Sequence, residues 1–283
     1  GMQLLQYVDG NIEKAEINMH IGEVYVKQGN WQKNEKYASI SLSLLGETLY
    51  KNEILLTILT IKEFTVQLLH RIFPFIFIRK VKLAKRRKYE KILENYLTLG
   101  RNYWYANIKK YTYTIIRSIN IGESKLGNSG TLAEFLSLYA LMFANLGFFK
   151  LALYYSDRAI EMSQASQAQY AEAIARMLKG YQLSYMGRYD DAYECLKASN
   201  KIMSQIGEVR EYANTICGMA LYHYYNSDYD NFMYFNNKVI EVGDRYKNIN
   251  AQHIAYAQLG LVYIEIGKFE ECSEVANTLL TLS

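Results

Sequence analysis

The sequence predicts an all-α protein, a solenoid of helical hairpins with a period of about 40 residues, and three observations carry that prediction. Gly147, Gly187, Ser227 and Gly267 stand 40 residues apart. Two residues beyond each comes an aromatic (Phe149, Tyr189, Tyr229, Phe269), and seven residues before each a small residue (Ala140, Gly180, Ala220, Gly260). The single proline, Pro74, and the lack of Gly/Ser tracts leave no flexible linker and fit helices joined by short turns. Self-similarity at a fixed period marks a stack of supersecondary units that bury their apolar faces only against neighbours. Residues 2–283 are therefore expected to form one elongated domain.

Taken in order, the first hairpin is expected at 11–46, where Gly22, Tyr25, Gly29 and Trp31 repeat the later spacing. An atypical insert follows at about 50–88, with the apolar stretch ILLTILTIKEFTVQLLHRIF, Pro74 and a basic run. The second hairpin, 89–122, aligns Gly100 and Tyr103 with Ala140 and Phe143, and Asn107 stands where the turn glycine would be. Asparagine tolerates the left-handed conformation, so it is expected to serve as that turn residue. The remaining hairpins fall at 130–164, 168–205, 208–243 and 250–282. The small residue marks the close crossing of each helix pair, the glycine supplies a left-handed turn, and the following aromatic is expected to pack back across its own pair. Met2 to Val8 and the apolar Leu279, Leu280 and Leu282 read as uncapped ends, so the chain is expected to be a fragment of a larger protein or to self-associate.

A period of 40 also suits HEAT and armadillo repeats, but the internal spacing separates them. The series Gly180, Leu183, Gly187, Tyr189, Ala192 resembles the tetratricopeptide repeat (TPR) with lengthened helices, which implies a right-handed α-solenoid. Residues 42–80 and 96–162 go further, through Leu44-Leu45-Gly46, the run Gln67 to Pro74, and the Ala133 to Ala159 unit. They resemble the helical-repeat region of bacterial signal-transduction ATPases of the AAA/STAND type, in which class III adenylate/guanylate cyclase or serine/threonine kinase domains are partners. That resemblance implies a sensor or scaffold region, with the ATP and cyclase residues outside this chain. The stretch IEKAEINMHIGEVYVKQGN is similar to one repeat of the TPR-type response-regulator phosphatases and peptide-pheromone receptors of Gram-positive bacteria. Their amino-terminal three-helix bundle has no counterpart here, which places a phosphatase role last.

The chain is not expected to be an enzyme or to hold a cofactor or metal. Gly122 to Ser129 has the glycine spacing of a phosphate-binding loop, yet Asn128 replaces the lysine and no apolar strand precedes it, so it reads as a polar turn. The four histidines, His20, His70, His223 and His253, lack metal-ligand spacing, and His223 reads as a packing residue with satisfied nitrogens. Cys195, Cys217 and Cys272 form neither a CxxC pair nor an even set, so a reducing, cytoplasmic location is the default. The apolar window Ile54 to Ile78 is broken by Lys62, Glu63, His70 and Arg71 and makes a poor membrane span.

Two surfaces are candidates for binding. Helical spacing places Asn145, Tyr181, Tyr185, Leu221, Tyr225, Leu261 and Glu265 on the inner groove formed by the first helices. It is aromatic where carboxylate-binding TPR co-chaperones carry lysine and asparagine, so an amphipathic helix or extended peptide is the expected ligand. The second surface is the basic run Arg79, Lys80, Lys82, Lys85, Arg86, Arg87 and Lys88, directly after FPFIFI. A solvated helix face is the plainest reading of that run, followed by an acidic partner domain and then a membrane surface. Net charge of +4 is too mild to call for nucleic acid. The function so predicted is a non-catalytic regulatory solenoid of a signalling ATPase, with a stand-alone peptide receptor or scaffold as the alternative.

Overall fold

A computed structural model describes residues 7–27, 30–77 and 83–282. Every regular element among them is helical: α1 (Asn11–Lys27), α2 (Trp31–Leu44), α3 (Glu53–Ile72), α4 (Pro74–Phe77), α5 (Leu83–Ala106), α6 (Ile108–Lys125), α7 (Gly130–Asn145), α8 (Phe149–Ala165), α9 (Gln169–Tyr185), α10 (Tyr189–Ile206), α11 (Val209–Tyr225), α12 (Tyr229–Tyr246), α13 (Ile249–Glu265) and α14 (Phe269–Leu282). Two compact units, Gly1–Tyr139 and Ala140–Ser283, divide the chain. Gly29 lies outside the described residues.

In the second unit each helix packs on the next, from α8 to α14, and the first helices α9, α11 and α13 also lie side by side. The turns explain the period. Positive φ occurs at Gly147, Gln167, Gly187, Gly207, Ser227, Lys247 and Gly267, one left-handed residue every twenty. At each hairpin turn the residue after it donates its N–H back across the helix end: Phe148 to Phe143 O at 2.9 Å, Arg188 to Leu183 O at 2.9 Å, Asp228 to His223 O at 2.9 Å and Lys268 to Tyr263 O at 2.7 Å. These bonds satisfy carbonyls that a helix end otherwise strands. The same closure between hairpins joins Ala168 to Ser163 O and Asn248 to Gly243 O, both at 2.9 Å. Its core is a chain of small clusters, one holding Met177, Leu196 and Met203, the next Ile216, Cys217 and Val239.

In the first unit α1 pairs with α2 and α5 with α6, and α5 also packs on α1 and α2. Ser41 donates to Ala15 O at 2.7 Å, and in the second unit Ser199 donates to Ala173 O at the same distance and the same chain separation, so the hairpin is stitched alike in both. Two expectations fail here. Asn107 is not a left-handed turn residue; its φ is −159°, and its side chain accepts the Lys110 N–H as the N-cap of α6. A short polar side chain has two uses at a helix boundary, and capping prevails because the next helix starts immediately. The insert is less irregular than expected, since α5 begins at Leu83 and takes Lys85 to Lys88 into its first turns.

The insert's main helix, α3, packs on α6 with its polar side inward. Glu63, Gln67 and His70, each 2% exposed, recur at helical spacing on one stripe. Gln67 donates to Asn120 Oδ1 at 2.8 Å, Asn120 donates to both the Glu63 carbonyl and its carboxylate at 2.8 Å, and His70 Nδ1 meets Glu123 at 2.9 Å. Arg117 ties the cluster to Glu63 at 3.2 Å and to Glu47 at 2.8 Å, and Arg71 pairs with Glu123. Burial of this many polar groups is tolerated only because they bond one another.

Candidate peptide-binding face

The hairpin turns of the second unit carry a ladder of aromatic side chains. Tyr189, the first residue of α10, is half-buried. It reaches the following hairpin and stacks on Tyr225 with ring centroids 4.5 Å apart and planes 16° from parallel. Offset stacking of this kind holds large flat side chains in place at little entropic cost. Tyr193 and Tyr222 repeat the relation at 4.4 Å, and Tyr222 donates to Asp190 at 3.1 Å. One hairpin on, Tyr224 donates to Glu265 Oε1 at 2.5 Å and Tyr229 to Oε2 of the same carboxylate at 3.5 Å. Phe269, at the equivalent position of the last hairpin, is 69% exposed.

The electrostatics follow from this packing. The hydrogen bond to Glu265 pushes the Tyr224 phenol up to about 12. Burial raises Tyr225, and the neighbouring Tyr189 and Tyr185 phenols add to it. The Tyr224 and Tyr225 phenols are thus held in the neutral form, and the face presents apolar ring surfaces with hydroxyl rims.

Of the residues expected in the groove, Tyr185 and Tyr225 are exposed and come together around Tyr189, and Glu265 is reached through Tyr224. Leu261 is exposed on α13, Leu221 is half-buried, and Asn145 is exposed at the end of α7. Tyr181 is different: its hydroxyl bonds Asn214 O at 2.7 Å and its ring joins the core cluster of Met177 and Leu196, so it packs between hairpins. Tyr189 and Tyr224 were not anticipated as site residues; for Tyr189 the signal was present in the aromatic two residues past each turn, whereas Tyr224 stands three residues before its turn. His223 meets Asp228 at 2.9 Å through Nδ1 and stacks on Phe235, but its buried Nε2 has no partner, so only one nitrogen is satisfied.

The predicted basic surface is only partly free. Arg79, Lys80 and Lys82 lie outside the described residues. Arg86 bonds Glu90 at 2.8 Å, Arg87 bridges Glu13 at 3.2 Å and Glu16 at 2.9 Å, and Lys88 lies over the ring of Tyr89. Lys85 is exposed. Burial alone would raise Glu16, but Arg87 and Lys91 outweigh it and hold the carboxyl below its usual range. Among the described residues no three His, Cys, Asp or Glu side chains gather as a metal site. A cleft of about 390 Å³ opens where α10, α11 and α12 meet, lined by Met203, Tyr212, Glu241, Arg245 and Tyr246.

No family model matches the sequence, and no curated protein matches it. Solved structures do. The chain is similar to a Rap protein complexed with Competence and Sporulation Factor, with 13% identity and a TM-score of 0.57 over 95% of this chain and 77% of that one. It is similar to aspartyl phosphate phosphatase F from Bacillus subtilis, with 11% identity and a TM-score of 0.56 over 98% of this chain and 75% of that one. A signal transduction ATPase with numerous domains (STAND) from Pyrococcus horikoshii, with a tetratricopeptide repeat sensor, matches over 99% of this chain with 14% identity and a TM-score of 0.55. The chain spans 39% of that ATPase's length. At these identities the likeness establishes the fold: an all-α array of TPR-like hairpins.

Proposed function

We propose that this chain is the regulatory repeat region of a signalling ATPase, and that residues 2–283 act together to bind a peptide or protein segment. The observation that carries the reading is the Tyr185–Tyr189–Tyr225 cluster, in which Tyr189 stacks on the exposed Tyr225 across consecutive hairpins and the exposed Tyr185 lies close to Tyr225. Pre-ordered aromatic side chains such as these are enriched among the hot spots of protein and peptide interfaces. The resemblance of residues 42–80 and 96–162 to STAND-type repeat regions supports the attachment to an ATPase, and so does the similarity to the Pyrococcus horikoshii sensor. Output through a cyclase or kinase domain is the finer part of the proposal and rests on the sequence resemblance alone. Relay would proceed by small shifts at successive hairpin interfaces, which a stacked array sums.

The experiment begins with the open reading frame around this segment, searched for a phosphate-binding loop and an output domain. In the whole protein, Tyr185→Ala with Tyr225→Ala is then expected to abolish the response of nucleotide hydrolysis to a selected peptide ligand, while basal hydrolysis is kept. A reading frame without a nucleotide-binding domain would overturn the ATPase reading. The second reading, a stand-alone peptide receptor, is supported by the extended similarity to the Rap protein complexed with Competence and Sporulation Factor.

A further inference from the structure

Helix α3 is mounted inside out. Its polar stripe, Glu63, Gln67 and His70, is spent on α6, and the opposite face carries Ile54, Ile58, Ile61, Thr65, Leu68 and Ile72 at spacings of four and three along one line. Ile54 is 74% exposed and Ile61 62%. The apolar surface does not stop at that line. Leu55 and Phe64 widen it, and Phe73, Phe75 and Ile76 carry it past the helix end onto α4, with Phe75 78% exposed. Contiguous apolar surface of this length is rare on a chain that meets only water.

We infer that the outward face of α3 and α4 docks on an anionic lipid surface, lying in the interface without crossing the bilayer. Charge selects the occupant. Residues 54–89 contain nine Lys and Arg against one acid, Glu63; Arg71, Arg86 and Arg87 are spent on Glu123, Glu90 and the Glu13/Glu16 pair, and the other six cations still outnumber the acid in a chain of net charge only +4. Glu63 is itself buried and bonded to Arg117 and Asn120, and Glu53 at the helix start is paired with Lys109 at 2.9 Å. Lys62 stands exposed beside the apolar line, and Lys85 beyond it. Apolar side chains flanked by cations match the acyl boundary and the anionic headgroups respectively.

The hydroxyl groups on this helix separate lipid from protein as the occupant. Thr57, Thr60 and Thr65 donate to the carbonyls of Glu53, Leu56 and Ile61 at 2.9, 2.7 and 3.0 Å. Those donors are closed off within the helix. A protein interface uses about one hydrogen bond per 100–200 Å² to set register, and this face offers almost none. Neither α3 nor any other described helix is long and apolar enough to cross a membrane, and the fixed polar side of α3 permits contact on one face only.

The test is co-sedimentation of the full chain with vesicles of phosphatidylcholine alone and with one-third phosphatidylglycerol, alongside light scattering of the protein without lipid. Binding is expected to the anionic vesicles only, and to weaken roughly tenfold or more in Ile58→Glu with Ile61→Glu, both exposed positions, with the helical circular dichroism expected to stay unchanged. Absence of binding to anionic vesicles overturns the inference. So does equal binding of the double variant, which would leave charge alone responsible. A dimer in the lipid-free sample that the double variant dissociates would assign the face to a second copy of this chain, and capture of an acidic amphipathic helix with no vesicle binding would assign it to a protein.

Discussion

A methyl group on Gly180 would sit 2.7 Å from Cγ of Leu196 and 3.1 Å from the Ala192 carbonyl oxygen, so α9 and α10 cross there at backbone distance. The equivalent position one repeat later is Ala220, fully buried, and two repeats later is Gly260, whose nearest neighbour would be Val275 at 3.9 Å. Gly180→Ala is therefore expected to destabilise the fold by about 1–3 kcal/mol through overpacking. Gly260→Ala is expected to stabilise by up to about 1 kcal/mol, because the helix gains propensity with room to spare. Urea denaturation of the two variants checks both signs, and equal effects would contradict the difference in crossing distance.

The junction of α3 and α6 makes a second prediction. Asn120→Ala removes one donor from the Glu63 carboxylate, which keeps Arg117, one from the Glu63 carbonyl, and one acceptor from Gln67, all of them buried. A loss of about 2–3 kcal/mol is expected. Lys62→Ala, on the exposed side of the same helix, is expected to change stability by less than about 0.5 kcal/mol. Denaturant midpoints that place the two variants together would show that the polar cluster does not hold α3.

Thiol chemistry gives a third. Burial pushes the Cys217 thiol up to about 12 and also raises Cys195. The thiolate is the reacting form, and at pH 8 roughly one Cys217 in ten thousand would be ionised. Iodoacetamide followed by mass spectrometry is expected to leave Cys217 unmodified in the native protein at pH 8. Labelling of Cys217 should rise with pH toward 12, or at once in denaturant. Rapid native labelling at pH 8 would place Cys217 outside the core.

Much of this architecture was legible in the primary structure because the turn is chemically demanding and recurs. A glycine or serine after a helix, a small residue seven before and an aromatic two after are enough to place α9 to α14 within a few residues. The aromatic ladder was half legible: spacing gave Tyr185 and Tyr225, but whether Tyr189 packs back or forward depends on which neighbour offers a flat ring, and Tyr225 does. The orientation of α3 was not legible from its own residues. An amphipathic helix normally buries its apolar side, and here the preference reverses because Arg117, Asn120 and Glu123, more than fifty residues away, present a matching polar stripe. Asn107 failed for a local reason, since the same side chain serves a turn or a cap and only the start of the next helix decides.

The left-handed residues at every twentieth position from Gly147 to Gly267 set a rule for how such a chain tolerates change in length. Each turn hands the next helix on with a fixed phase, so excising or duplicating a block of forty residues returns every small residue, glycine and aromatic to register. A block that is not a multiple of twenty leaves a glycine inside a helix or a side chain at positive φ, at roughly 1 kcal/mol or more for each misplaced residue, and an odd multiple of twenty exchanges first helices for second ones. Ser227, Gln167 and Lys247 already bear that strain. The sequence is in this sense a ruler graduated in forties, and exchanges between repeats are expected to keep the fold only at multiples of that interval.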